Sequence, residues 1–234
     1  MLAVQPLSTL HQPHVQLVLR QLHRAARKDA FLHLPGVLLD VADLLRRRTP
    51  SVEEQVRRLR HAYVPLSPAQ GQLVYLLARV CRARRIVEFG TSFGISTIYL
   101  ACAVKDNVAD TNCGEGTVIG SEMDEEKRSS AEQNLRRAGL EGFVSIRGGD
   151  ARQSLSDPGG PVDFLLLDGA KTLYLPILRQ LTPYLRNGAV VVSDNTRSHR
   201  RQLTDFLRLV RTGGFESVSL PFESGTELSI YSCV

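Results

Sequence analysis

The sequence predicts an α/β fold in which a doubly wound, mostly parallel sheet of seven strands has an antiparallel C-terminal strand and follows an N-terminal helical extension. Three observations lead to this fold class. Apolar strand candidates alternate with helical stretches between about residues 85 and 211. The first of these strands ends in an acidic residue and a glycine-bearing turn, which is typical of Rossmann-like sheets. The 234 residues suffice for one such domain plus an extension, but not for two independent enzyme domains.

The N-terminal quarter of the chain is predicted to be helical. From His14 onward, apolar residues recur at helical spacing with Arg or Lys between them. Pro35-Gly36 and Thr49-Pro50 interrupt this pattern and so indicate two or three helices. We therefore expect residues 1–63 to form a helical cap or association element, and residues 64–234 to form the main domain.

The main domain is predicted to open with a helix and then to alternate strands with helices. Ser67 is a favourable N-cap, Pro68 suits the first helical position, and Gln70 stands where a capping box requires it. The predicted helices are Pro68–Cys81, Ser96–Val104, Glu125–Ala138, Leu175–Leu185 and Arg200–Arg211. The predicted strands are Arg85–Phe89, Thr117–Glu122, Val144–Arg147, Val162–Leu167, Ala189–Ser193, Glu216–Leu220 and Glu227–Cys233. The last two strands should form a hairpin that adds the antiparallel strand.

Composition and charge argue against several classes of function. The formal net charge is +5 and the pI is near 9.2, but the basic residues are dispersed, so a solvated basic surface is favoured over nucleic-acid binding. No apolar span approaches bilayer length and the first residues lack a leader pattern, so we expect no membrane segment and a cytoplasmic location. The four cysteines show no CxxC spacing, which argues against a zinc site or a disulfide framework.

The turn after the first strand is a candidate binding site. The strand delivers Glu88 to its carboxyl end, while Gly90 and Gly94 would let the backbone approach a ligand. The first amides of the following helix would attract an anionic group. The glycine spacing differs from the G-x-G-x-x-G of dinucleotide enzymes. By itself, the turn is equally consistent with a plain strand-to-helix connection.

Acidic residues also follow the second and third strands. Glu122 stands where doubly wound folds place a carboxylate against ribose hydroxyls, although a solvated strand-end acid is the plain alternative. The neighbouring Met123 could pack on an adenine face or belong to the core. Asp150 could meet an adenine amino group, or it could be an ordinary turn residue or helix N-cap.

The fourth and fifth strands end in oxygen ligands at the same edge of the sheet. Asp168 follows the fourth strand, and Asp194 and Asn195 follow the fifth. Two carboxylates and an amide oxygen form a hard donor set that suits Mg²⁺ or another divalent cation. The alternative is that Asp194 and Asn195 only cap the following turn.

These segments together resemble the metal-dependent, class I S-adenosylmethionine (SAM) O-methyltransferases related to catechol and caffeoyl-CoA O-methyltransferases. The matching motifs are, in order, V-E-F-G-T-S-F-G-I-S, G-S-E-M-D, G-G-D-A, L-L-L-D-G-A-K-T-L-Y and V-V-S-D-N-T. The resemblance covers about Val64 to the C-terminus. The N-terminal segment and a longer polar loop at 106–116 depart from the small catechol enzyme, which leaves the acceptor open.

The resemblance implies a SAM site along the first three strand ends. The methionine part of SAM would lie near Glu88, its ribose on Glu122, and its adenine beside Asp150 and Ala151. The implied cofactor-binding residues are Val64, Leu66, Glu88, Gly90, Ser92, Phe93, Gly94, Ser96, Glu122, Met123, Asp150, Ala151 and Asp168.

The resemblance also implies the chemistry of methyl transfer. Asp168, Asp194 and Asn195 would hold the metal, with Asp168 and Lys171 forming the catalytic centre. Lys171 would remove the proton of the attacking hydroxyl, and Glu227 would help to orient the substrate. The expected partners are a small hydroxylated acceptor and a second copy of the chain in a homodimer. Two alternatives stay open: methylation of RNA or protein, and a catalytically silent SAM-binding module.

Overall fold

The structure is a computed structural model that describes residues 8–30, 66–111, 114–222 and 224–232. The helices are α1 (Pro13–Ala30), α2 (Pro68–Val80), α3 (Ile95–Thr111), α4 (Glu125–Arg137), α5 (Ala151–Ser154), α6 (Tyr174–Leu181) and α7 (Thr204–Thr212). The strands are β1 (Arg85–Phe89), β2 (Thr117–Glu122), β3 (Val144–Gly148), β4 (Val162–Leu167), β5 (Leu185–Asp194), β6 (Phe215–Leu220) and β7 (Thr226–Tyr231). Short 3₁₀ turns lie at Thr9–His11, Glu141–Phe143, Lys171–Leu173 and Thr182–Tyr184.

The strands form one seven-stranded sheet in the order β3-β2-β1-β4-β5-β7-β6. The pairs from β3 through β5 are parallel, whereas β7 runs antiparallel to both β5 and β6. The order reverses between β1 and β4, which is the crevice where doubly wound sheets bind ligands. This topology confirms the predicted fold class, including the C-terminal hairpin.

Two apolar cores lie on opposite faces of the sheet. One core joins α1, α2 and α3 with alternate residues of the strands, and the other joins α6 and α7 with the remaining strand residues. Val15 and Val18 of α1 belong to the same buried cluster as Ile98 of α3 and Phe164 of β4. The part of the N-terminal segment that the structure describes therefore packs into the main core. The proposed domain boundary at residue 63 lies outside the described residues.

Several element boundaries differ from those predicted, and the larger differences include the end of α3 and the start of β5. Helix α3 continues to Thr111 rather than Val104. Asn107 does not end the helix, because its amide donates to the carbonyls of Ala78 and Ala83 at 3.0 and 2.8 Å and is satisfied in the packed interior. Strand β5 begins at Leu185, four residues before its predicted start, and its pairing with β4 carries a register shift there.

The predicted capping box at the start of α2 is confirmed. The Ser67 hydroxyl accepts from the backbone N–H of Gln70 at 3.3 Å, and the Gln70 side-chain oxygen accepts from the backbone N–H of Ser67 at 3.0 Å. This reciprocal pair fixes the first turn of α2 beneath the carboxyl edge of the sheet.

Two further expectations concern membranes and cysteines. Within the described ranges, none of the helices has both the length and the apolar character that crossing a bilayer demands. Cys81 and Cys102 are free thiols. Cys113 and Cys233 lie outside the described residues.

Candidate functional site

Four acidic side chains occupy the carboxyl edge of the sheet on adjacent strands. In the order of the strands, they are Glu122 of β2, Glu88 of β1, Asp168 after β4 and Asp194 of β5. The alternation of side chains along a strand puts Glu88 and Asp194 on the face covered by α2 and α3. Negative charge concentrated in this way favours cationic ligands.

Glu88 is fully buried, and only one of its carboxylate oxygens is satisfied. Oε2 accepts hydrogen bonds from the hydroxyls of Thr91 at 2.9 Å and Thr97 at 2.5 Å. Oε1 accepts none from the described part of the chain. Burial raises the pKa of Glu88 and the charge of Glu122 adds to the rise, although the surrounding hydroxyls oppose it. Because a buried carboxylate oxygen without a donor is costly, the ammonium group of SAM fits this position.

The turn between β1 and α3 is fastened to β2. The backbone N–H of Ser92 donates to Oε2 of Glu122 at 2.7 Å, and that of Thr91 donates to the carbonyl of Ser121 at 3.0 Å. The other oxygen of Glu122 accepts from the backbone of Asp124 at 2.9 Å. Each oxygen of Glu122 thus keeps capacity for a further donor, which fits the hydroxyls of a ribose.

Gly90 and Gly94 are required by the chain itself. Their φ angles are +98° and +84°, a region that disfavours side chains. A Cβ at Gly90 would lie 2.7 Å from the backbone of Gly169, and one at Gly94 would lie 3.2 Å from the Cβ of Ala131. The glycines therefore allow the turn to approach Gly169, which follows β4, and Ala131 of α4. The expected approach of their backbone to a ligand stays a prediction. Only their backbone atoms can serve a cofactor.

The residues expected around the adenine show mixed environments. Met123 is 38% exposed, so it is not part of the core and is accessible to a ligand. Asp150 caps α5 by accepting from the backbone of Arg152 at 2.9 Å, and it also accepts from the Arg152 guanidinium. Those bonds lower the pKa of Asp150. The structure thus shows Asp150 as a helix cap, and its expected contact with an adenine stays a prediction. Ala151 is buried in the core.

Three other expected cofactor residues lie within the described residues. Ser96 is buried in the first turn of α3, and Phe93 lies beneath the ammonium of Lys127, 5.3 Å from the ring centroid. Leu66 is buried just before α2. Val64 lies outside the described residues.

Lys171 is a largely buried lysine between two strand ends. Its side chain is only 10% exposed, so it is not an ordinary surface lysine. The amino group donates to the hydroxyl of Tyr174 at 2.8 Å and lies 3.6 Å from Oδ1 of Asp168. Burial lowers the pKa of Lys171, while the charges of Asp168 and Asp194 oppose that change. Burial has the opposite effect on the neighbouring carboxyl and raises the pKa of Asp168.

Asp194 is held by residues from three parts of the chain. Its Oδ1 accepts from the Gln70 amide at 2.7 Å and from the hydroxyls of Ser224 and Thr226, both at 3.3 Å. Its backbone carbonyl accepts from the Tyr174 hydroxyl at 3.1 Å. The sequence indicated Gln70 only as a capping residue and gave no signal for this contact.

The donor set at β4 and β5 fits a divalent cation by its chemistry. Every hydrogen bond that the described residues make to the Asp194 carboxylate ends on Oδ1, which leaves Oδ2 for a ligand. Asp194 raises the pKa of Asp168 through charge repulsion, and a cation between them would relieve it. Asn195 follows with φ of +60°. No group of three His, Cys, Asp or Glu side chains suited to a metal occurs in the described ranges, so Asn195 would have to supply a third ligand.

Glu227 lies apart from these residues. It is fully buried, and Arg211 of α7 donates to both of its oxygens at 2.7 and 2.9 Å. The hydroxyls of Ser217 and Ser219 donate to it as well. The neighbouring Thr226 faces Asp194, so Glu227 points to the opposite face of the sheet. This geometry does not support the expected contact between Glu227 and the substrate.

Comparisons with known proteins place the chain among methyltransferases. A family model described as a methyltransferase domain matches residues 87–196. The catechol O-methyltransferase of Niastella koreensis is 33% identical over 162 residues, which are 66% of this chain and 70% of that protein. The caffeoyl-CoA O-methyltransferase of Stellaria longipes is 24% identical over 160 residues, or 63% of each chain.

Solved structures have the same fold. The O-methyltransferase TomG from Streptomyces achromogenes, in complex with SAM, superposes on this chain with a TM-score of 0.65 at 25% identity. The match covers 76% of this chain and 87% of the TomG chain. The O-methyltransferase from Bacillus cereus, in complex with SAH, has a TM-score of 0.64 at 23% identity. That match covers 90% of this chain and 100% of the Bacillus chain. The chain therefore belongs to the class I SAM-dependent O-methyltransferase family that includes catechol and caffeoyl-CoA O-methyltransferases.

Proposed function

We propose that this chain transfers the methyl group of SAM to one hydroxyl of a small aromatic acceptor that carries two adjacent hydroxyls, with Mg²⁺ or another divalent cation and with Lys171 as the base. The observation that carries the proposal is the burial of Lys171 beside Asp168, one strand away from Asp194. A lysine is seldom buried without a partner or a function. The names of the relatives support a phenolic acceptor.

The residues of the first two strand ends would hold SAM, which supplies the methyl group. The free Oε1 of Glu88 would receive the ammonium of its methionine part, and Glu122 would receive the ribose hydroxyls. Glu88 neighbours Asp168 across the paired strands β1 and β4. The donor and the acceptor would therefore meet where these strands end, and their alignment would lower the barrier to in-line transfer.

The base must accept the proton of the attacking hydroxyl. Burial favours the neutral amine of Lys171, which has a lone pair for that proton. The Tyr174 hydroxyl fixes the position of the amine. A divalent cation held by Asp168, Asp194 and Asn195 would lower the pKa of the acceptor hydroxyl.

A screen of aromatic vicinal diols with SAM tests the proposal. We expect a monomethyl ether as product, loss of turnover after treatment with a chelator, and recovery on addition of Mg²⁺. Undiminished turnover in thoroughly demetallated protein would remove the metal from the proposal. Methylation of monophenols at the same rate would remove the requirement for adjacent hydroxyls.

The net charge of +5 motivates a second candidate, methylation of RNA or protein. Salt-dependent RNA binding together with transfer to RNA would favour that function. Tight SAM binding without transfer to any acceptor of the screen would favour a catalytically silent module. Neither alternative accounts for the buried Lys171 beside Asp168.

We also propose that the chain forms a homodimer with the 1–63 segment as an association element. Helix α2 supports this state because it exposes Leu76 and Val80, which are 56% and 82% accessible in the single chain. Light scattering should give about twice the chain mass of 25.9 kDa. A mass of one chain at micromolar concentration would reject the dimer.

A further inference from the structure

Gln70 links the start of α2 to the end of β5. It is 7% exposed and stands 124 residues before Asp194 in the sequence. Its Oε1 accepts from the backbone N–H of Ser67 at 3.0 Å. Its Nε2 donates to Oδ1 of Asp194 at 2.7 Å and to the hydroxyl of Thr226 at 3.1 Å. Every polar atom of the Gln70 side chain is therefore engaged.

The two ends of the Gln70 amide cannot be exchanged. A flipped amide would point its NH₂ group at the N–H of Ser67 and its oxygen at the carboxylate of Asp194. Donor would then face donor, and acceptor would face acceptor. The capping box thus fixes which end of Gln70 meets Asp194.

The donors from Gln70 and Thr226, together with that of Ser224, converge on one oxygen of Asp194. A carboxylate held in this way cannot rotate without breaking several hydrogen bonds. Its other oxygen, Oδ2, therefore has a fixed position at the edge of the sheet.

We propose that Gln70 is a positioning residue for the metal site: it holds the carboxylate of Asp194 so that Oδ2 faces the cation. This inference rests on the proposed function, which makes Asp194 a metal ligand. If Gln70 served only as a helix cap, it would contribute to stability and leave cation affinity unchanged. Groups that orient metal ligands contribute about 10- to 100-fold to metal affinity.

The test compares Mn²⁺ binding by full-length variants, measured by electron paramagnetic resonance without SAM or acceptor. Gln70→Met keeps the size of the side chain but removes its donor, and we expect the Kd for Mn²⁺ to rise about 10-fold or more. Ser67→Ala is the matched control, because it removes the Ser67 side-chain half of the capping box and leaves the Gln70–Asp194 bond in place. It should lower Tm by about 2–4 °C without changing the Kd.

A second variant covers the case in which Gln70→Met does not fold. Thr226→Val removes the hydroxyl that bonds both Gln70 and Asp194. We expect a smaller rise in the Mn²⁺ Kd, and the double variant should show less than the product of the two single effects because both donors act on the same oxygen. In turnover assays, the Mg²⁺ concentration for half-maximal rate should rise while the Kd for SAM stays constant.

The outcomes separate this inference from the proposed function. Wild-type protein that binds no Mn²⁺ would overturn the metal site and the role of Gln70 with it. If wild-type protein binds Mn²⁺ and Asp194→Ala abolishes that binding, the metal site stands. An Mn²⁺ Kd in Gln70→Met equal to that of the wild type would then overturn the positioning role alone. If Gln70→Met is unfolded, an unchanged Mn²⁺ Kd in Thr226→Val would do the same.

Discussion

The amino group of Lys171 donates a 2.8 Å hydrogen bond to the hydroxyl of Tyr174. That hydroxyl donates in turn to the backbone carbonyl of Asp194 at 3.1 Å. A single buried tyrosine therefore connects the lysine that follows β4 to the acid that ends β5. The position of the proposed base is tied in this way to the position of a proposed metal ligand, because neither can shift without disturbing Tyr174.

Replacing Lys171 with Met should remove most turnover and leave cofactor binding intact. The methionine fills the space of the lysine stem but cannot accept a proton, and loss of a general base costs about 10²- to 10⁴-fold in rate. Single-turnover rates and calorimetric SAM titrations check the two parts separately. A variant that keeps more than a tenth of the wild-type rate would reject Lys171 as the base.

The rate should depend on the protonation of Lys171. Only the neutral amine can act as a base, so kcat/KM should rise with pH through the pKa of Lys171. Burial holds that pKa below the ordinary value of 10.5, and a bound cation would lower it further. We expect the midpoint of this rise in kcat/KM to lie below pH 10.5. In Lys171→Met, the residual kcat/KM should not show this rise with pH. An identical profile in both proteins would assign the step to another group.

Tyr174→Phe tests whether the tyrosine hydroxyl positions the base. The ring should stay in place because it packs edge-on against Phe89 and Phe206, with centroids 6.3 and 5.5 Å away. Loss of one hydrogen bond to the amine should lower kcat about 10-fold, which corresponds to about 1.4 kcal/mol. Tyr184→Phe, at the opposite edge of the sheet just before β5, is the matched control and should keep wild-type kcat. Equal rates in the two variants would remove Tyr174 from the mechanism.

The sequence predicted the acids of the site because parallel strands end at a common edge. Asp168 and Asp194 could be assigned to the same edge of the sheet from the sequence alone. The contact between Gln70 and Asp194 could not, because it depends on how α2 lies across the sheet. The strand pattern did not settle which face Glu227 occupies, since a shift of one residue reverses the faces of a strand. Thr226, which faces Asp194, begins β7 one residue before the predicted strand.

Glu88→Gln should weaken SAM binding specifically. The substitution keeps the shape of the side chain and removes the charge that the free Oε1 offers to a cationic group. We expect the Kd for SAM to rise at least about 10-fold, because hydrogen bonds to charged groups contribute about 1.5–3 kcal/mol. Glu126→Gln, an exposed carboxylate in α4, is the control. Unchanged SAM affinity in Glu88→Gln, measured by calorimetry, would place the methionine part elsewhere.

Glu227→Gln should destabilise the fold and leave catalysis intact. The ion pair with Arg211 is buried on the glutamate side and half-exposed on the arginine side, so its loss should lower the free energy of unfolding by about 2 kcal/mol. Thermal unfolding measures that loss. Arg208→Ala is the control, because the ion pair between Arg208 and Asp205 has both side chains 71% exposed and should contribute nothing measurable to stability. A kcat that falls tenfold at a temperature where the variant is folded would instead restore the substrate role of Glu227.

The pH dependence of stability tests the structural role of the Glu227 charge. Burial alone would raise its pKa, but the hydrogen bonds from Arg211, Ser219 and Ser217 outweigh burial and hold the pKa below 4.5. Since the folded-state pKa is lowered, the stabilisation is fully present above pH 4.5 and is lost as the pH falls through the folded-state value. Wild-type Tm should therefore approach that of Glu227→Gln as the pH falls below 4.5. A constant difference in Tm between the two proteins from pH 7 to pH 3 would show that the charge of Glu227 contributes nothing to the fold.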